Sequence, residues 1–401
     1  MSSVHYREIE GRSGGFYALL GALGVLILAG AGAGWYMDHH GHYVTGMSNR
    51  IVWGTPHVFA VFLIVAASGA LNVASIASVF GRDLYKPLAR LSGLLALTLL
   101  AGGLVVLVLD LGRPDRLIVA MTHYNFKSIF AWNIFLYTGF FAVVALYLWT
   151  LFERRMNGYS KRAGMLAFIW RLVLTTGTGS IFGFLVAREP YNSALLAPLF
   201  IVMSFSFGLA VFVLVLMAAC RGSGRALGEM MLNRLANLLG VFVAAVLYFV
   251  VVYHLTNLYI ARQHDVERFI LLDGGVYTAL FWIGQILVGS VVPLALLFGP
   301  ASGGSHRTIA AAAVCVILGG LAQIYVLIIG GQAYPQLMFP DKEVTSSFFD
   351  GVVAAYAPSL PEMALGVGGV ALALALTAVA LKVLPFLPQS LADGDAESVG
   401  A

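Results

Sequence analysis

Two residues of this sequence are of a type that exchanges protons and stand where the chain is otherwise strongly apolar. His57 begins an apolar segment, just after Trp53-Gly54-Thr55-Pro56, and Asp110 ends another such segment. Imidazole has a pKa close to neutral pH, and carboxylates exchange protons readily with water. Polar side chains inside hydrocarbon cost several kcal/mol unless they are paired, so their positions carry functional information. We therefore predict that His57 and Asp110 exchange protons with a ligand.

Two further polar residues are predicted at a similar depth. Asn133 lies about one turn into its apolar segment, and His254 lies in the last two turns of another. A quinone needs an apolar slot for its ring, a hydrogen-bond donor at each carbonyl and a group that exchanges protons. These residue types favour a quinone pocket shaped by Trp53 and Asn133. His57 and His254 also allow an alternative, a haem held between two helices.

The densest group of charges follows Asp110 and forms a short turn. The run Asp110-Leu-Gly-Arg113-Pro-Asp115-Arg116 ends the apolar segment at its proline, and Asn125 and Ser128 lead into the next one. Ser128 is a candidate helix cap. A plainer reading is that Asp110 forms an interfacial ion pair with Arg113 or Arg116. The cluster His39-His40-Gly-His42 lacks nearby cysteine, and we expect a solvated loop there without a metal.

A second set of polar residues lies deeper. Arg171 is about two turns inside its segment, near Thr175 and Thr178, and Asn72 lies in another segment. If they face the interior, Arg171 and Asn72 line a polar path. This alternative function is a secondary transporter or a proton-translocating bundle.

The composition of the chain indicates the environment in which these residues lie. Sixty per cent of the 401 residues are apolar and only 10% are charged, whereas a soluble domain carries roughly 25% charged residues. The protein is therefore expected to lie in a lipid bilayer. The net charge of +4 is too small and dispersed for nucleic-acid binding, and two cysteines cannot supply the four ligands of an iron–sulfur cluster.

Ten segments have the length and apolarity of membrane-spanning helices, so the fold class is an all-α integral membrane protein. We expect one polytopic domain over residues 1–385 and a disordered tail over 386–401. The predicted spans are 16–36, 51–79, 88–109, 128–152, 164–187, 194–219, 233–260, 276–298, 308–330 and 362–384.

Charge outside the spans predicts the orientation. Most of the 23 Lys and Arg residues lie on the side of the two termini, and positive charge favours the cytoplasmic face. We expect both termini to be cytoplasmic, which puts His57, Asp110 and Asn133 in the external half of the membrane.

The motifs together resemble a known family. Gly41-His42-Tyr43-Val44-Thr45-Gly46-Met47, Trp53-Gly54, the Asp110–Pro114 turn and Asn125-Phe-Lys-Ser128 with Trp132 are similar to the NrfD/polysulfide-reductase membrane subunits. The sequence is most similar to the long ten-helix branch of that family, with DsrP of the sulfur-metabolism Dsr complex as the nearest type.

The resemblance implies two four-helix bundles with extra helices, and a subunit that is not catalytic alone. It implies ubiquinone or menaquinone bound near the external face by residues around Trp53, Gly54 and the Asp110 turn, with no haem or iron–sulfur cluster in this protein. An external ferredoxin-like iron–sulfur subunit would exchange the electrons. A DsrP-like setting adds a multihaem cytochrome, a membrane cytochrome b and a cytoplasmic iron–sulfur subunit.

Overall fold

A computed structural model describes residues 4–299, 305–336 and 351–393 of the chain. Ten of its helices are long and apolar enough to cross a membrane, and we number them α1 to α10. Their bounds are Gly14–His40, Thr55–Ser78, Asp83–Leu109, Ile129–Phe152, Arg154–Gly183, Leu196–Ser223, Glu229–Tyr259, Val276–Phe298, His306–Ala333 and Leu360–Val383. Each overlaps one predicted span, so the all-α membrane fold class is confirmed.

Several of these helices change their geometry along their length. Helix α2 is interrupted at Leu71, and α3 and α5 each begin with a 3₁₀ segment, Asp83–Leu88 and Arg154–Tyr159. Helices α8 and α9 contain π-helical segments, Leu280–Val291 and Val326–Gly330. The remaining short helices are His42–Val44, Pro114–Arg116, Leu117–Thr122, Ala261–Gln263, His264–Arg268 and the π-helical Phe269–Asp273.

The spans form two four-helix bundles. In the first bundle α2 packs on α3, α3 on α4, α4 on α5 and α5 on α2; in the second, α6 to α9 pack in the same cyclic order. Helix α6 joins the bundles by packing on α2 and α5, while α10 lies against α2 and α3 and carries α1 on its outer side. The predicted bundle architecture is therefore confirmed.

Glycine allows the two bundles to approach closely. A Cβ atom on Gly69 of α2 would collide with the backbone of Ser204 on α6, and one on Gly208 would collide with the backbone of Gly69. Small residues are typical where membrane helices pack by van der Waals contact without a hydrophobic driving force. The contact fixes α2, and with it His57, relative to the second bundle.

The end of the sequence corrects one expectation. Residues 386–393 were predicted to be disordered, yet Leu387 and Pro388 form a strand, β2, that pairs antiparallel with Tyr6–Arg7, β1. Phe386, Leu387 and Leu391 are buried, and this apolar burial explains why the segment packs. The rest of the predicted tail, 394–401, lies outside the described residues.

Candidate functional site

A buried carboxylate lies between two imidazoles at the end of the first bundle. Asp110, the residue directly after α3, has a side chain only 1% exposed. Its Oδ2 atom lies 2.7 Å from Nδ1 of His57, and its Oδ1 atom lies 3.6 Å from Nε2 of His42. In the described part of the protein no donor makes a hydrogen bond of regular geometry to either oxygen. The two imidazoles are therefore the partners of this carboxylate.

The electrostatic environment favours a negative charge on Asp110 and a positive charge on His42. Burial alone would raise the pKa of Asp110, but the neighbouring imidazoles of His42 and His57 outweigh it, and the pKa lies below the ordinary value. The Asp110 carboxylate raises the pKa of His42 above its ordinary value, against the opposing effect of burial. Asp110 therefore stays ionised, and His42 holds its proton to a higher pH than a free imidazole does.

The segment before α2 brings these groups together. Pro56 occupies the first turn of α2, where its missing N–H costs no hydrogen bond. Gly112 adopts a left-handed φ of 69°, and a Cβ atom there would lie 3.0 Å from the ring of His42. The turn after Asp110 thus packs directly on His42, so the imidazole and the carboxylate share one end of the fold.

A glutamate and a tyrosine that the sequence analysis missed hold this segment. Oε2 of Glu362 accepts hydrogen bonds from the backbone N–H of Gly46 at 2.9 Å and of Ser359 at 2.8 Å. The Tyr356 hydroxyl donates to Oε1 of Glu362 at 2.6 Å and accepts from the N–H of Thr55 at 2.6 Å. Glu362 is fully buried, so these bonds satisfy a carboxylate that would otherwise be very costly.

Gln332, at the end of α9, also holds the segment before α2. Its Oε1 atom accepts from the N–H groups of Val52 and Trp53, and its Nε2 atom donates to the carbonyl of Trp53. The backbone of Trp53 is consequently held on both sides by one buried amide. Gln332 escaped the sequence analysis because it lies beyond the predicted span that ends at residue 330.

The indole of Trp53 forms an aromatic wall beside His57. The two ring centroids lie 6.1 Å apart with an angle of 30° between the ring planes, and Phe130, Phe182 and Tyr191 surround the other sides of the indole at 5.7 to 6.5 Å. Nε2 of His57 has no hydrogen-bond partner among the described residues, and 19% of the side chain is exposed. One nitrogen of His57 therefore contacts the carboxylate while the other is free for a ligand beside an aromatic face.

Asn133 and Trp132 are placed differently from the prediction. The Asn133 amide is buried in the contact between α4 and α5, where Nδ2 donates to the carbonyls of Ile129 at 2.9 Å and Gly177 at 3.2 Å. Trp132 is 46% exposed, and its Nε1 donates to the carbonyl of Phe126. Neither residue touches His57 or Asp110, and Phe130 supplies the contact from α4 to Trp53 instead.

The charged turn pairs within itself. Nε of Arg113 lies 3.1 Å from Oδ1 of Asp115, and both side chains are exposed, as is Arg116. Because Asp110 pairs with imidazoles, the interfacial ion pair between Asp110 and Arg113 or Arg116 is wrong. Asn125 Oδ1 accepts from the backbone of Lys127, and Ser128 stands at the N-terminus of α4 without a capping hydrogen bond from its side chain.

His254 belongs to the other bundle. Its Nδ1 atom lies 2.6 Å from Oε2 of Glu267, and Nδ2 of Asn257 donates to Oε1 of Glu267 at 2.8 Å. The structure therefore separates His254 from His57 and gives each imidazole its own carboxylate. This arrangement does not favour a haem held between these two histidines. Glu267 escaped the sequence analysis because it lies in a polar connection between two spans.

Arg171 lies in the interior of the first bundle without an acidic partner in the described part of the protein. Its guanidinium packs near the rings of Phe168 and Phe205, 5.0 and 5.2 Å away, and Nη1 lies 3.4 Å from the carbonyl of Ser68. Asn72 is also buried, and its Nδ2 atom has no partner among the described residues. No hydrogen bond joins Arg171 to Asn72.

Fold and site together define a class: a membrane protein whose described residues form ten long apolar helices, eight of them in two four-helix bundles, with a buried carboxylate–imidazole cluster at the end of one bundle. The chain belongs to the NrfD family, whose model, described as polysulphide reductase, NrfD, matches residues 43–336. Within the described residues no group of three His, Cys, Asp or Glu side chains is placed to hold a metal ion.

Relatives that match most of this sequence are subunits of oxidoreductases. One, an Hdr-like menaquinol oxidoreductase integral membrane subunit of Archaeoglobus fulgidus, is 29% identical over 96% of this chain and 98% of its own length. A selenate reductase subunit of Mesobacillus selenatarsenatis is 23% identical over 86% and 88%. A polysulfide reductase polypeptide of Wolinella succinogenes is 25% identical over 71% and 96%.

Proposed function

We propose that this protein is the quinone-interacting membrane subunit of a multi-subunit electron-transfer complex. The observation that carries the proposal is the Asp110 carboxylate, buried between His57 and His42 beside the exposed edge of an aromatic wall. The similarity to a menaquinol oxidoreductase subunit over nearly the whole of both sequences supports it. The ligand would be a ubiquinone or a menaquinone.

In this proposal His57 has the proton role. Its Nδ1 atom faces Asp110, which fixes the orientation of the ring. Its Nε2 atom is then the group that takes a proton from a quinol hydroxyl, or returns one to a quinone carbonyl. His42, the second imidazole on Asp110, is 29% exposed and can pass protons between the cluster and water.

The aromatic wall has the complementary role of holding the ring. Trp53 presents a face beside His57, and aromatic rings prefer offset or edge contacts at such distances. The backbone on both sides of Gly54 is held by hydrogen bonds from Trp53 to Gln332 and from Thr55 to Tyr356, which fixes the position of the wall. The quinone supplies the two-electron chemistry, and the electrons leave to a partner protein.

The finer assignment follows the resemblance to DsrP. In that setting the protein serves sulfur metabolism in the bacterial inner membrane, with both termini cytoplasmic. An external ferredoxin-like iron–sulfur subunit docks near the Asp110 end, where the exposed Arg113, Asp115, Arg116 and Asn125 and the half-buried Ser128 form the surface. The complex also includes a multihaem cytochrome, a membrane cytochrome b and a cytoplasmic iron–sulfur subunit. Copurification and identification of these proteins tests the assignment.

Proton translocation is a second candidate function, favoured by the interior of the first bundle. Ser68 on α2 hydrogen-bonds Thr175 on α5 at 2.6 Å, and both side chains contact the backbone of Arg171. Such a series of hydroxyls beside a buried cation suits a polar path. Arg171→Met in proteoliposomes should abolish quinol-driven proton uptake and leave quinol turnover intact; uptake that persists unchanged rejects this role.

The decisive experiment for the quinone site compares two aspartates of one turn. Asp110→Asn removes the charge between the imidazoles, whereas Asp115→Asn changes an exposed carboxylate five residues away. In the purified complex we expect Asp110→Asn to lower quinol oxidation by about 10²-fold or more, the usual contribution of a positioned acid–base group. Asp115→Asn should retain activity. Equal activity of the two variants in assembled complexes would reject the proposed site.

A further inference from the structure

The second bundle contains a small cavity with a carboxylate in its wall. The cavity has a volume of about 60 Å³ and lies between α6, α7, α8 and α9. His254, Glu267 and Tyr253 are the titratable groups of the wall, which contains no Lys or Arg side chain. Arg262 and Arg268, on the neighbouring connection, pair instead with Glu189 and Asp273 at the surface.

The size of the cavity decides which ligands it admits. Pockets for drug-sized ligands measure roughly 300–1,000 Å³, so this cavity is too small for a quinone ring. One water needs on the order of 10–15 Å³ of such volume, and it also needs two to four polar partners. The cavity therefore has room for a few water molecules.

Polar groups are available to bind those waters. The side-chain amides of Gln285 on α8 and Gln323 on α9 are in the wall and have no hydrogen-bond partner among the described residues. Nε2 of His254 is also without a partner there, because Nδ1 faces Glu267. Tyr253 donates its hydroxyl proton to the carbonyl of Pro190, also in the wall. These amides face the cavity without a protein partner, and the cost of leaving them without a hydrogen bond favours hydration of the cavity.

The geometry of the helices around the cavity is a second, independent indication that the cavity is a functional site. The described part of the protein has three π-helical segments, and each contributes to the wall: Ile270 from Phe269–Asp273, Phe281 and Gln285 from Leu280–Val291, and Val326 and Leu327 from Val326–Gly330. π-helical turns are rare and occur frequently at functional sites. Three of them around one cavity are not explained by helix packing alone.

We propose that this cavity is a hydrated proton-exchange site, in which Glu267 and His254 share one proton and accept a second from water. With one proton the pair is neutral, which suits its burial. Transfer of a proton from hydronium in the cavity gives a neutral carboxylic acid and an imidazolium, and leaves one water molecule. Glu267 lies in the connection between α7 and α8, at the same end of the fold as Asp110, so protons exchange with the aqueous phase on that side.

Infrared difference spectroscopy of the purified full-length protein tests the proposal without any quinone. On acidification, wild-type protein should gain the band of a protonated carboxyl group that Glu267→Gln lacks and that Glu189→Gln, a surface control, retains. Transfer to D₂O should shift this band, because a hydrated carboxyl group exchanges its proton. Gln285→Met, which removes a water partner and keeps the carboxylate, should slow that exchange several-fold.

Two results would overturn the proposal. One is an identical set of carboxyl bands in Glu267→Gln and wild-type protein; the other is a Glu267 band that does not move in D₂O, which would mean a sealed, dry pair. Glu267→Asp, which keeps the carboxylate and should shift the band, serves if the glutamine variant does not fold. Quinol oxidation by Glu267→Gln should remain within about twofold of wild type. A failure of the proposed quinone site at Asp110 can therefore be distinguished from a failure of the proposed proton-exchange site at Glu267.

Discussion

Nδ1 of His57 lies 2.7 Å from Oδ2 of Asp110, although 53 positions of sequence separate the two residues. The pair joins the start of α2 to the end of α3, two antiparallel neighbours in the first bundle. A carboxylate on one ring nitrogen directs the other nitrogen toward a ligand, as with histidines that bind metals. This relationship, rather than either residue alone, gives the site its proposed chemistry.

Removing the imidazole tests the relationship directly. His57→Ala should abolish quinol turnover in an assembled complex, because the group that takes the proton and faces the ligand is gone. His39→Ala is the matched control, since it removes an exposed imidazole from the last turn of α1. Steady-state oxidation of a quinol analogue measures the effect. A His57→Ala complex that turns over at the wild-type rate would remove His57 from the mechanism.

The pH dependence of stability should report the contact between His42 and Asp110. Asp110 raises the pKa of His42 above the ordinary value of 6.5, so protonated His42 stabilises the folded state. That contribution is present in full below about pH 6.5 and is lost as the pH rises through the higher, folded-state pKa. The pKa of Asp110 lies below its ordinary value of 3.8, so the carboxylate remains charged throughout this window.

Thermal unfolding of two variants in detergent measures this effect. His42→Gln should lower the midpoint most near pH 6, and its difference from wild type should shrink toward alkaline pH. His123→Gln changes an exposed imidazole that has no acidic partner among the described residues, and it should show no such trend. A His42→Gln difference that is constant from pH 6 to pH 9 contradicts the assigned ion pair.

A single methyl group added at Gly54 should disturb the packing that holds the start of α2. A Cβ atom on Gly54 would collide with Oε1 of Glu362 and lie 2.8 Å from Met47 and 2.9 Å from the Tyr356 hydroxyl. Overpacking of this kind typically costs about 1–3 kcal/mol. We expect Gly54→Ala to lower the thermal midpoint and to raise the KM for quinol, because the aromatic wall shifts.

Gly24→Ala is the control for this substitution. Nothing lies within 4 Å of the corresponding Cβ position on α1, and alanine favours a helix over glycine. Its midpoint should equal or exceed that of wild type. If Gly54→Ala is as stable as Gly24→Ala and has an unchanged KM, the packing of Gly54 against Glu362 does not support the site.

Depth and helix direction predicted that His57 and Asp110 lie at the same end of two adjacent antiparallel spans. They did not predict that the two side chains contact each other, which the structure shows. Asn133 has a similar depth, but depth does not give the rotation of a helix about its axis. The structure turns its amide toward Gly177 on α5 instead, where an interhelical hydrogen bond satisfies it.

The supporting carboxylates could not be predicted in the same way. Glu362 lies at the start of a span, where an acidic residue is ordinarily a helix cap, and it does form a capping box with Ser359. Its hydrogen bond with Gly46 joins segments that are more than 300 residues apart. Its hydrogen bond with Tyr356 depends on the path of an irregular loop. Glu267 lies in an equally irregular connection. The hydrophobic periodicity of the sequence does not indicate that such residues are buried.

The isolated charge of Arg171 leads to a stability prediction. The side chain is buried, and no carboxylate among the described residues compensates its charge. An uncompensated buried cation costs several kcal/mol of desolvation, even when cation–π contacts with two phenylalanines offset part of it. Arg171→Met fills a similar space without the charge, and we expect it to raise the thermal midpoint in detergent. Arg162→Met, at an exposed position earlier on the same helix, should change the midpoint little. A lower midpoint for Arg171→Met would mean that its contacts with Ser68 and the aromatic rings outweigh the desolvation of the guanidinium.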